Sequence, residues 1–165
     1  MVSQVLMNNP VAPVCQRDTA DSTATTSTTS SSTTSLTCPR DWERFEGNCY
    51  RLFESSSNAF DTCFEAEAKC MIEGATLRSV HSQEEDNFLK DLSNGNSYWV
   101  GAYPKESFWI WSDFTEFDFT NFYTVTSRMC LYQDSSYYSN GWSSAPCAAS
   151  YPSIQCICKL FLNLN

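Results

Sequence analysis

Nine cysteines are the most prominent reactive side chains of this 165-residue chain. Cysteines at short regular spacing can hold zinc, but no CxxC pair occurs, and the one close pair, Cys156 and Cys158, is spaced CxC. That spacing does not fit the ligand patterns of structural zinc sites, and His81 is the only histidine. The cysteines therefore predict disulfides and an oxidising compartment.

Acid–base chemistry has few candidates. His81 stands at a predicted strand-to-helix junction, directly before Ser82, where a surface position beside a helix cap explains it better than a general base. Glu84 and Glu85 are adjacent, so on a helix they point about 100° apart and cannot flank one bond. No GxSxG, HExxH or glycine-rich phosphate loop occurs. We predict no catalytic residues, no cofactor and no enzymatic activity.

The net charge of −9 excludes several classes of partner. Nucleic acids and anionic membrane surfaces both need a basic face. No run of about 18 apolar residues occurs, so we predict no membrane-spanning helix. The start, "MVSQVLMNNPVAPVC", lacks a basic region and an apolar stretch typical of a secretory signal. Either the export signal lies outside this sequence or the chain stays reduced in the cell; the cysteines favour export, and we expect a secreted, extracellular protein.

A low-complexity tract divides the chain. The stretch 19–37, "TADSTATTSTTSSSTTSLT", lacks the apolar residues that would offset chain-ordering entropy. We predict a disordered Ser/Thr-rich tail or stalk over residues 1–37, either O-glycosylated or a plain linker. The folded domain is predicted over residues 38–162.

The domain shows two helical patterns followed by short aromatic strands. A first helix is predicted from Asn58 to Ile72, with Phe60, Cys63, Phe64, Cys70 and Met71 as its buried stripe. Residues 75–80 alternate as a strand, and 82–92 form a second helix with a Ser82–Glu85 capping box and an Asp86–Lys90 pair. The strands that follow make the class α+β with an antiparallel sheet.

These elements, in this order, resemble the C-type lectin-like domain family. The resemblance covers residues 38 to about 160 and rests on "CPRDWERFEGNCYRL", "AEAKCMIEGATLRSVHSQEEDNFL", "WVGA" and "WIWSDFTEFDFTNF", followed by Cys130, Trp142, Cys147 and Cys158. Cys63, Cys156 and the Ser/Thr stalk look most like secreted nematode members. The resemblance implies two helices, short antiparallel sheets, a loop-rich upper region, and a non-catalytic role in binding a glycan or protein, with innate defence as its setting.

The resemblance also implies three disulfides: Cys38–Cys49, Cys70–Cys158 and Cys130–Cys147. Geometry adds a fourth, because Cys63 and Cys70 share one helix face while Cys156 and Cys158 share one strand face. We therefore expect Cys63–Cys156; the crossed pairing with Cys70 and Cys158 is harder but stays open. Cys15 is left unpaired, and it either joins two chains in a disulfide dimer or is incidental to the tail.

Sugar-binding members of the family hold calcium with acidic and amide residues in a long loop and with a Trp-Asn-Asp triplet. Here the triplet reads Trp142, Ser143 and Ser144, and the segment 122–129, "FYTVTSRM", holds no acid. Calcium takes about six to eight oxygen ligands, usually including carboxylates. We therefore predict no calcium at the usual site and no metal ligands. A displaced site using Asp113, Asp118 or Asp134 would make the chain a calcium-dependent lectin.

The candidate ligand face consists of aromatic and basic residues in the corresponding loops: Tyr123, Arg128, Tyr137, Tyr138 and Trp142. Tyrosine offers a large contact area and a hydroxyl at low entropic cost. Strand packing is the alternative for the tyrosines, and the core is the favoured interpretation for Trp142. A structural or mucin-like matrix protein is the alternative to a recognition role.

Overall fold

A computed structural model describes residues 37–54, 62–126, 129–136 and 139–162. It contains helices α1 (Cys63–Ile72) and α2 (Gln83–Leu92). The strands are β1 (Glu43–Phe45), β2 (Asn48–Phe53), β3 (Thr76–Leu77), β4 (Tyr98–Val100), β5 (Ala102–Lys105), β6 (Phe108–Trp111), β7 (Phe122–Thr124), β8 (Cys130–Gln133), β9 (Trp142–Ala145) and β10 (Cys156–Phe161). The predicted α+β class is confirmed. The predicted tail lies outside the described residues, apart from Thr37, and its boundary stays a prediction.

Three sheets organise these strands. The orders are β1-β2-β10-β3, β4-β8-β9-β7 and the hairpin β5-β6. Strand β10 pairs along its whole length with β2, so the first and last parts of the domain share one sheet. The pairings between these strands are antiparallel, as predicted, except that β7 runs parallel to β9 with Phe122 opposite Trp142. An isolated parallel bridge also joins Tyr98 to Gln155.

The first helix begins later than predicted. Thr62 is extended (φ −110°, ψ 156°), so an unbroken helix cannot run from Asn58 through it. Its hydroxyl accepts the Glu65 N–H at 3.2 Å, and the Glu65 carboxylate accepts the Thr62 N–H at 3.0 Å. This capping box fixes the helix start at Cys63. Residues 55–61, including Asn58 and Phe60, lie outside the described part.

The predicted buried stripe of α1 is partly wrong. Cys63, Ala66 and Cys70 are buried, but Phe64 is 54% exposed and Met71 is 67% exposed. Positions three and four residues apart share a helix face, and the sheet selects the face that holds the two cysteines. Phe64 and Met71 follow them directly in sequence, so they turn about 100° outward.

The strand predicted over residues 75–80 is shortened to β3. Beyond Leu77 the chain leaves β10, and the Arg78 carbonyl accepts the Gly101 N–H at 2.9 Å. A Cβ atom on Gly101 would lie 2.1 Å from the Leu77 carbonyl oxygen. Only glycine allows the "WVGA" segment to approach this closely.

Helix α2 carries buried acids at its start. Ser82 accepts the Glu85 N–H at 3.0 Å, but the Glu85 carboxylate accepts from His81 N instead of Ser82 N, so only half of the predicted capping box forms. The predicted Asp86–Lys90 pair is confirmed, with 2.7 Å between Lys90 Nζ and Asp86 Oδ2. Neither helix in the described ranges is long and apolar enough to span a membrane.

A buried ion pair joins α2 to β10. Nζ of Lys159 lies 2.8 Å from Oε1 of Glu85, and both side chains are almost fully buried. The Tyr50 hydroxyl donates to the same carboxylate. Burial, followed by the charge of Glu85, raises the pKa of Tyr50 well above its ordinary value. The three residues therefore form one buried polar group, and Tyr50 joins it to a hydrophobic cluster that also contains Trp111 and Trp142.

The described part of the chain contains three disulfides: Cys38–Cys49, Cys70–Cys158 and Cys130–Cys147. They are the pairs that the resemblance implies. A separate hydrophobic cluster around Trp99 contains Cys70, Cys158 and Cys130, and Cys147 packs against it. Cys15 lies outside the described residues.

The expected fourth bridge, Cys63–Cys156, is not formed. Both cysteines are buried free thiols. The Cys156 thiol donates to the Ala66 carbonyl at 3.3 Å and lies 3.5 Å from Cys70 Sγ. Its sulfur thus lies beside the existing Cys70–Cys158 bridge, and Cys70 is about two helical turns along α1 from Cys63.

Candidate functional site

The structure separates the residues of the predicted ligand face. Tyr123 lies on β7 and is 56% exposed, as a contact residue requires. Trp142 has no exposed surface, so its place on the ligand face is wrong and its interpretation as a core residue is confirmed. Arg128, Tyr137 and Tyr138 lie outside the described residues.

The surroundings of Trp142 explain its burial. Its ring meets Trp111 and Phe119 edge-to-face, each with a centroid separation of 5.8 Å. Its Nε1–H donates to the buried Asp86 carboxylate at 3.1 Å. A buried indole needs such an acceptor, and Asp86 on α2 supplies it. Trp142 therefore fixes β9 against α2 and positions the residues that follow it.

Ser143 and Ser144 stand on β9, at the two positions of the triplet where the resemblance implies metal ligands. The Ser144 hydroxyl accepts the Thr126 N–H at 2.9 Å and lies 3.2 Å from the Thr126 hydroxyl. Ser143 is buried, and its hydroxyl lies 3.5 Å from Asp134 Oδ2. These neutral hydroxyls are engaged within the protein and supply none of the carboxylates that calcium prefers. The residues present do not fit a calcium ion.

Asp134 is the one acid beside these serines in the described part of the chain. Partial burial would raise its pKa, but hydrogen bonds from Ser136, Ser139 and Ser143 outweigh burial and hold the pKa below its usual value. Asp134 is thus a structural acceptor that orders the turn between β8 and β9.

The acids suggested for a displaced calcium site do not assemble. Among the described residues, one group of three metal-ligating side chains has its ligand atoms within 4.8 Å of one another: Cys70, Cys156 and Cys158. Two of those sulfurs already form a disulfide. Asp113, Asp118 and Asp134 therefore share no such cluster.

His81 makes polar contacts with two residues, Asp118 and Thr115, that the sequence did not place beside it. His81 Nδ1 lies 2.7 Å from Asp118 Oδ1, and His81 Nε2 lies 3.1 Å from the Thr115 hydroxyl. The order Asp–His–Thr resembles that of a nucleophilic triad. However, Thr115 donates its hydroxyl proton to Asp113 at 2.6 Å, so His81 does not accept it. The contacts pin the loop after β6 to the start of α2, and Asp113 and Asp118 act as its acceptors.

The exposed face near β7 suits binding. Tyr123 points to the exposed side of β7, whereas the adjacent Phe122 turns to the other side and packs its ring against Trp142, with a centroid separation of 6.0 Å. Gly141 allows its own segment to pack closely against the segment that contains Asn121 and Tyr123. A Cβ atom at position 141 would lie 2.8 Å from the Asn121 carbonyl oxygen and 3.1 Å from Tyr123 Cβ. This tight contact holds the tyrosine backbone on a rigid element, as a binding site needs.

Comparisons with known proteins agree with this geometry. The family model for the lectin C-type domain matches residues 60–160. The chain is 32% identical over 127 residues to a type-2 ice-structuring protein of Osmerus mordax, covering 71% of this chain and 69% of that protein. It is also 32% identical over 120 residues to snaclec botrocetin subunit beta of Bothrops jararaca, covering 67% and 90% of the two chains. The solved calcium-free form of a Ca²⁺-dependent type II antifreeze protein superposes with a TM-score of 0.64, at 29% identity over 74% of this chain and 98% of that one.

Two helices, short sheets and three disulfides around an exposed aromatic strand define a disulfide-stabilised binding domain. The chain belongs to the C-type lectin domain family. The narrower likeness to secreted nematode members stays a prediction.

Proposed function

We propose that this chain is a non-catalytic recognition module that binds a glycan or a protein without calcium at the family's usual position. One observation carries this proposal: the hydroxyls of Ser143 and Ser144 are engaged by Asp134 and Thr126, in place of the free carboxylates that a metal bridge would need. The ligand must then be held by the side chains themselves.

Tyr123 is the proposed contact residue in the described part of the chain, with Arg128, Tyr137 and Tyr138 as further candidates from the sequence. A half-exposed tyrosine on a strand offers a ring for stacking and a hydroxyl for hydrogen bonding. The known relatives named above include an ice-structuring protein and a snaclec, so the fold alone does not name the ligand.

We further propose an extracellular setting, with the Ser/Thr-rich stretch as a stalk and Cys15 as the residue that joins two chains. Three disulfides support the setting, because such bridges persist in oxidising compartments. A domain carried on a stalk would suit innate defence by presenting its ligand face away from the point of attachment. A dimer in non-reducing electrophoresis that disappears in Cys15→Ser would support the role of Cys15; a monomer in both would refute it.

Thermal unfolding with calcium and with a chelator tests the calcium-free proposal. An ion present at 100 times its Kd would add about 2.7 kcal/mol to the free energy of unfolding, which is a rise of several degrees in Tm. We expect no such rise. A clear rise that is lost in Asp134→Asn would place an ion beside Ser143 and overturn the proposal.

Binding to arrayed glycans and to extracellular proteins tests the ligand face. We expect Tyr123→Ala to weaken whichever binding is found. Phe161→Ala is the matched control, because Phe161 is a partly exposed aromatic residue on β10, in another sheet. Equal effects of the two substitutions would contradict a ligand face at β7.

A further inference from the structure

A shallow, mostly apolar pocket of about 250 Å³ lies between α1 and the β5–β6 hairpin. Its lining consists of Glu67, Tyr103, Ile110, Trp111, Ser112 and Phe114. Tyr103 and Ile110 are paired across the hairpin, so their side chains share one face. The neighbouring Trp109 points to the opposite face, where its ring lies 5.3 Å from that of Phe122 on β7. The pocket therefore opens on the other side of the hairpin from the ligand face at β7.

Phe114 is an exposed aromatic residue at this pocket, held in an unfavourable backbone conformation. Its φ of 61° lies in the left-handed region, which a bulky side chain rarely adopts, and the residue is 85% exposed. The domain therefore accepts backbone strain here without burying the ring in return. Such strain is characteristic of binding sites. The exposed Phe64 on α1 stacks on Tyr103 with ring centroids 6.1 Å apart, which extends the aromatic surface beyond the pocket.

Glu67 is the one charged residue among the described residues that line the pocket. Its Oε2 accepts the Leu77 N–H at 3.1 Å. In the described ion pairs no cation meets this carboxylate, and Lys69, two residues away on α1, is engaged by Glu73 at 2.6 Å. Glu67 therefore brings an uncompensated negative charge to an apolar pocket.

The electrostatic surroundings of Glu67 favour a positively charged ligand. Burial raises the pKa of Glu67 and outweighs the nearby Ser112 and Tyr103 hydroxyls, which lower it. Those hydroxyls belong to two other lining residues, so the carboxyl lies on the pocket side of α1. The charge of Asp113 raises the pKa further. A cation in the pocket would be attracted by both acids.

The shape of the pocket selects the kind of cation. Aromatic faces attract cations, and apolar walls suit the alkyl stem of a long basic side chain. Because Glu67 Oε2 already accepts from Leu77, the carboxylate is poorly placed to receive the two-pronged fork of a guanidinium, whereas an ammonium needs only one oxygen. The volume lies below the range of about 300–1,000 Å³ that is typical of small-molecule sites, which favours a single side chain.

We propose that this pocket receives a lysine side chain of a partner protein, with the alkyl stem against Tyr103 and Phe114 and the ammonium on the Glu67 carboxylate. It is a second interaction surface, separate from Tyr123, and it does not rest on the ligand face proposed above.

Magnetic resonance titration of the full chain with Nα-acetyl-lysine methylamide tests the proposal. We expect the amide signals of Glu67, Tyr103 and Phe114 to shift, with a Kd on the order of 1 mM for a probe of this size. The Nε-acetylated probe is neutral and should leave these signals unchanged. Glu67→Gln keeps the shape and an acceptor for Leu77, and it should weaken binding about five- to tenfold. Glu43→Gln, the same change at an exposed site on β1, is the control and should bind normally.

Phe114→Gly separates a contact role from a structural one. Glycine adopts a positive φ without strain, so Tm should stay the same or rise while binding weakens about two- to fivefold. Phe161→Ala is the control, because it removes a partly exposed ring on β10, outside the pocket, and binding should be unchanged. A lower Tm for Phe114→Gly would show that the ring stabilises the fold and would contradict its role as a contact.

Different results would refute different statements. No shift with the lysine probe, or equal binding of its neutral form, would refute a cation site in this pocket. Tighter binding of Nα-acetyl-arginine methylamide would overturn the preference for an ammonium. Loss of lysine-probe binding in Tyr123→Ala but not in Glu67→Gln would place the probe at β7 instead. All of these outcomes leave the recognition function at β7 standing, since it is tested with its own ligands.

Discussion

Replacing Lys159 by methionine should be among the most destabilising single substitutions in this domain. Nζ of Lys159 lies 2.8 Å from Glu85 Oε1, and both side chains are nearly inaccessible to water. Methionine keeps a similar volume but leaves the Glu85 carboxylate buried without its cation. Hydrogen bonds from Tyr50 and His81 N remain, but neither carries a compensating positive charge.

The geometry sets the magnitude. At 2.8 Å, with an effective dielectric constant of about 20, the attraction between the two charges is about 6 kcal/mol, part of which offsets their desolvation. Removing one partner of a buried pair typically costs about 3–5 kcal/mol. For a domain of this size, that loss corresponds to a fall in Tm of about 10–20 °C. Chemical denaturation with a two-state fit measures the free energy directly.

The partly exposed pair Lys69–Glu73 provides the matched control. Its atoms are 2.6 Å apart, but both side chains keep access to solvent, so Lys69→Met should cost at most about 1 kcal/mol. Adding Glu85→Gln to Lys159→Met should recover part of the loss, because the amide carries no unpaired charge. A cost for Lys159→Met as small as that for Lys69→Met, or no recovery in the double variant, would refute this reasoning.

Three further predictions concern sulfur and protons. Removing the Cys70–Cys158 bridge, whose cysteines are 88 residues apart, should lower the free energy of unfolding by about 4.6 kcal/mol through loop-closure entropy. Removing Cys38–Cys49, with a separation of 11 residues, should lower it by about 2.8 kcal/mol. Equal unfolding free energies for the two variants would contradict this order. Burial raises the pKa of the Cys63 thiol to about 12 and also raises that of the Cys156 thiol. Both thiols should therefore resist alkylation in the native chain and react in denaturant without reductant, as followed by mass spectrometry. No labelling in denaturant would show that the two cysteines are bridged. Burial also raises the pKa of the Glu67 carboxyl above its ordinary 4.5, so the native chain binds this proton more tightly than the unfolded chain does. The free energy of unfolding should therefore fall as the pH rises from 4.5 through the native pKa. Denaturant titrations across this pH range should show no such fall in Glu67→Gln.

Local signals in the sequence predicted much of the fold. The helical spacing and Ser82 located α2, and the quoted family motifs anticipated the three bridges that the structure contains. The start of α1 was missed because the cap at Thr62 competes with a periodic pattern that continues upstream of it. The exposure of Phe64 and Met71 was missed because periodicity shows that a helix has a face but not which of two adjacent stripes meets the sheet.

The sequence by itself determined the fold class, the reactive side chains, and the serines that replace acids at Ser143 and Ser144. Those properties depend on residue identity and on neighbours along the chain. Only the tertiary structure decided that Trp142 is buried and that Cys63 and Cys156 are not bonded to each other. Each of these depends on groups that are distant in sequence, such as Asp86, 56 residues before Trp142, and packing brings them together with no local signal along the chain.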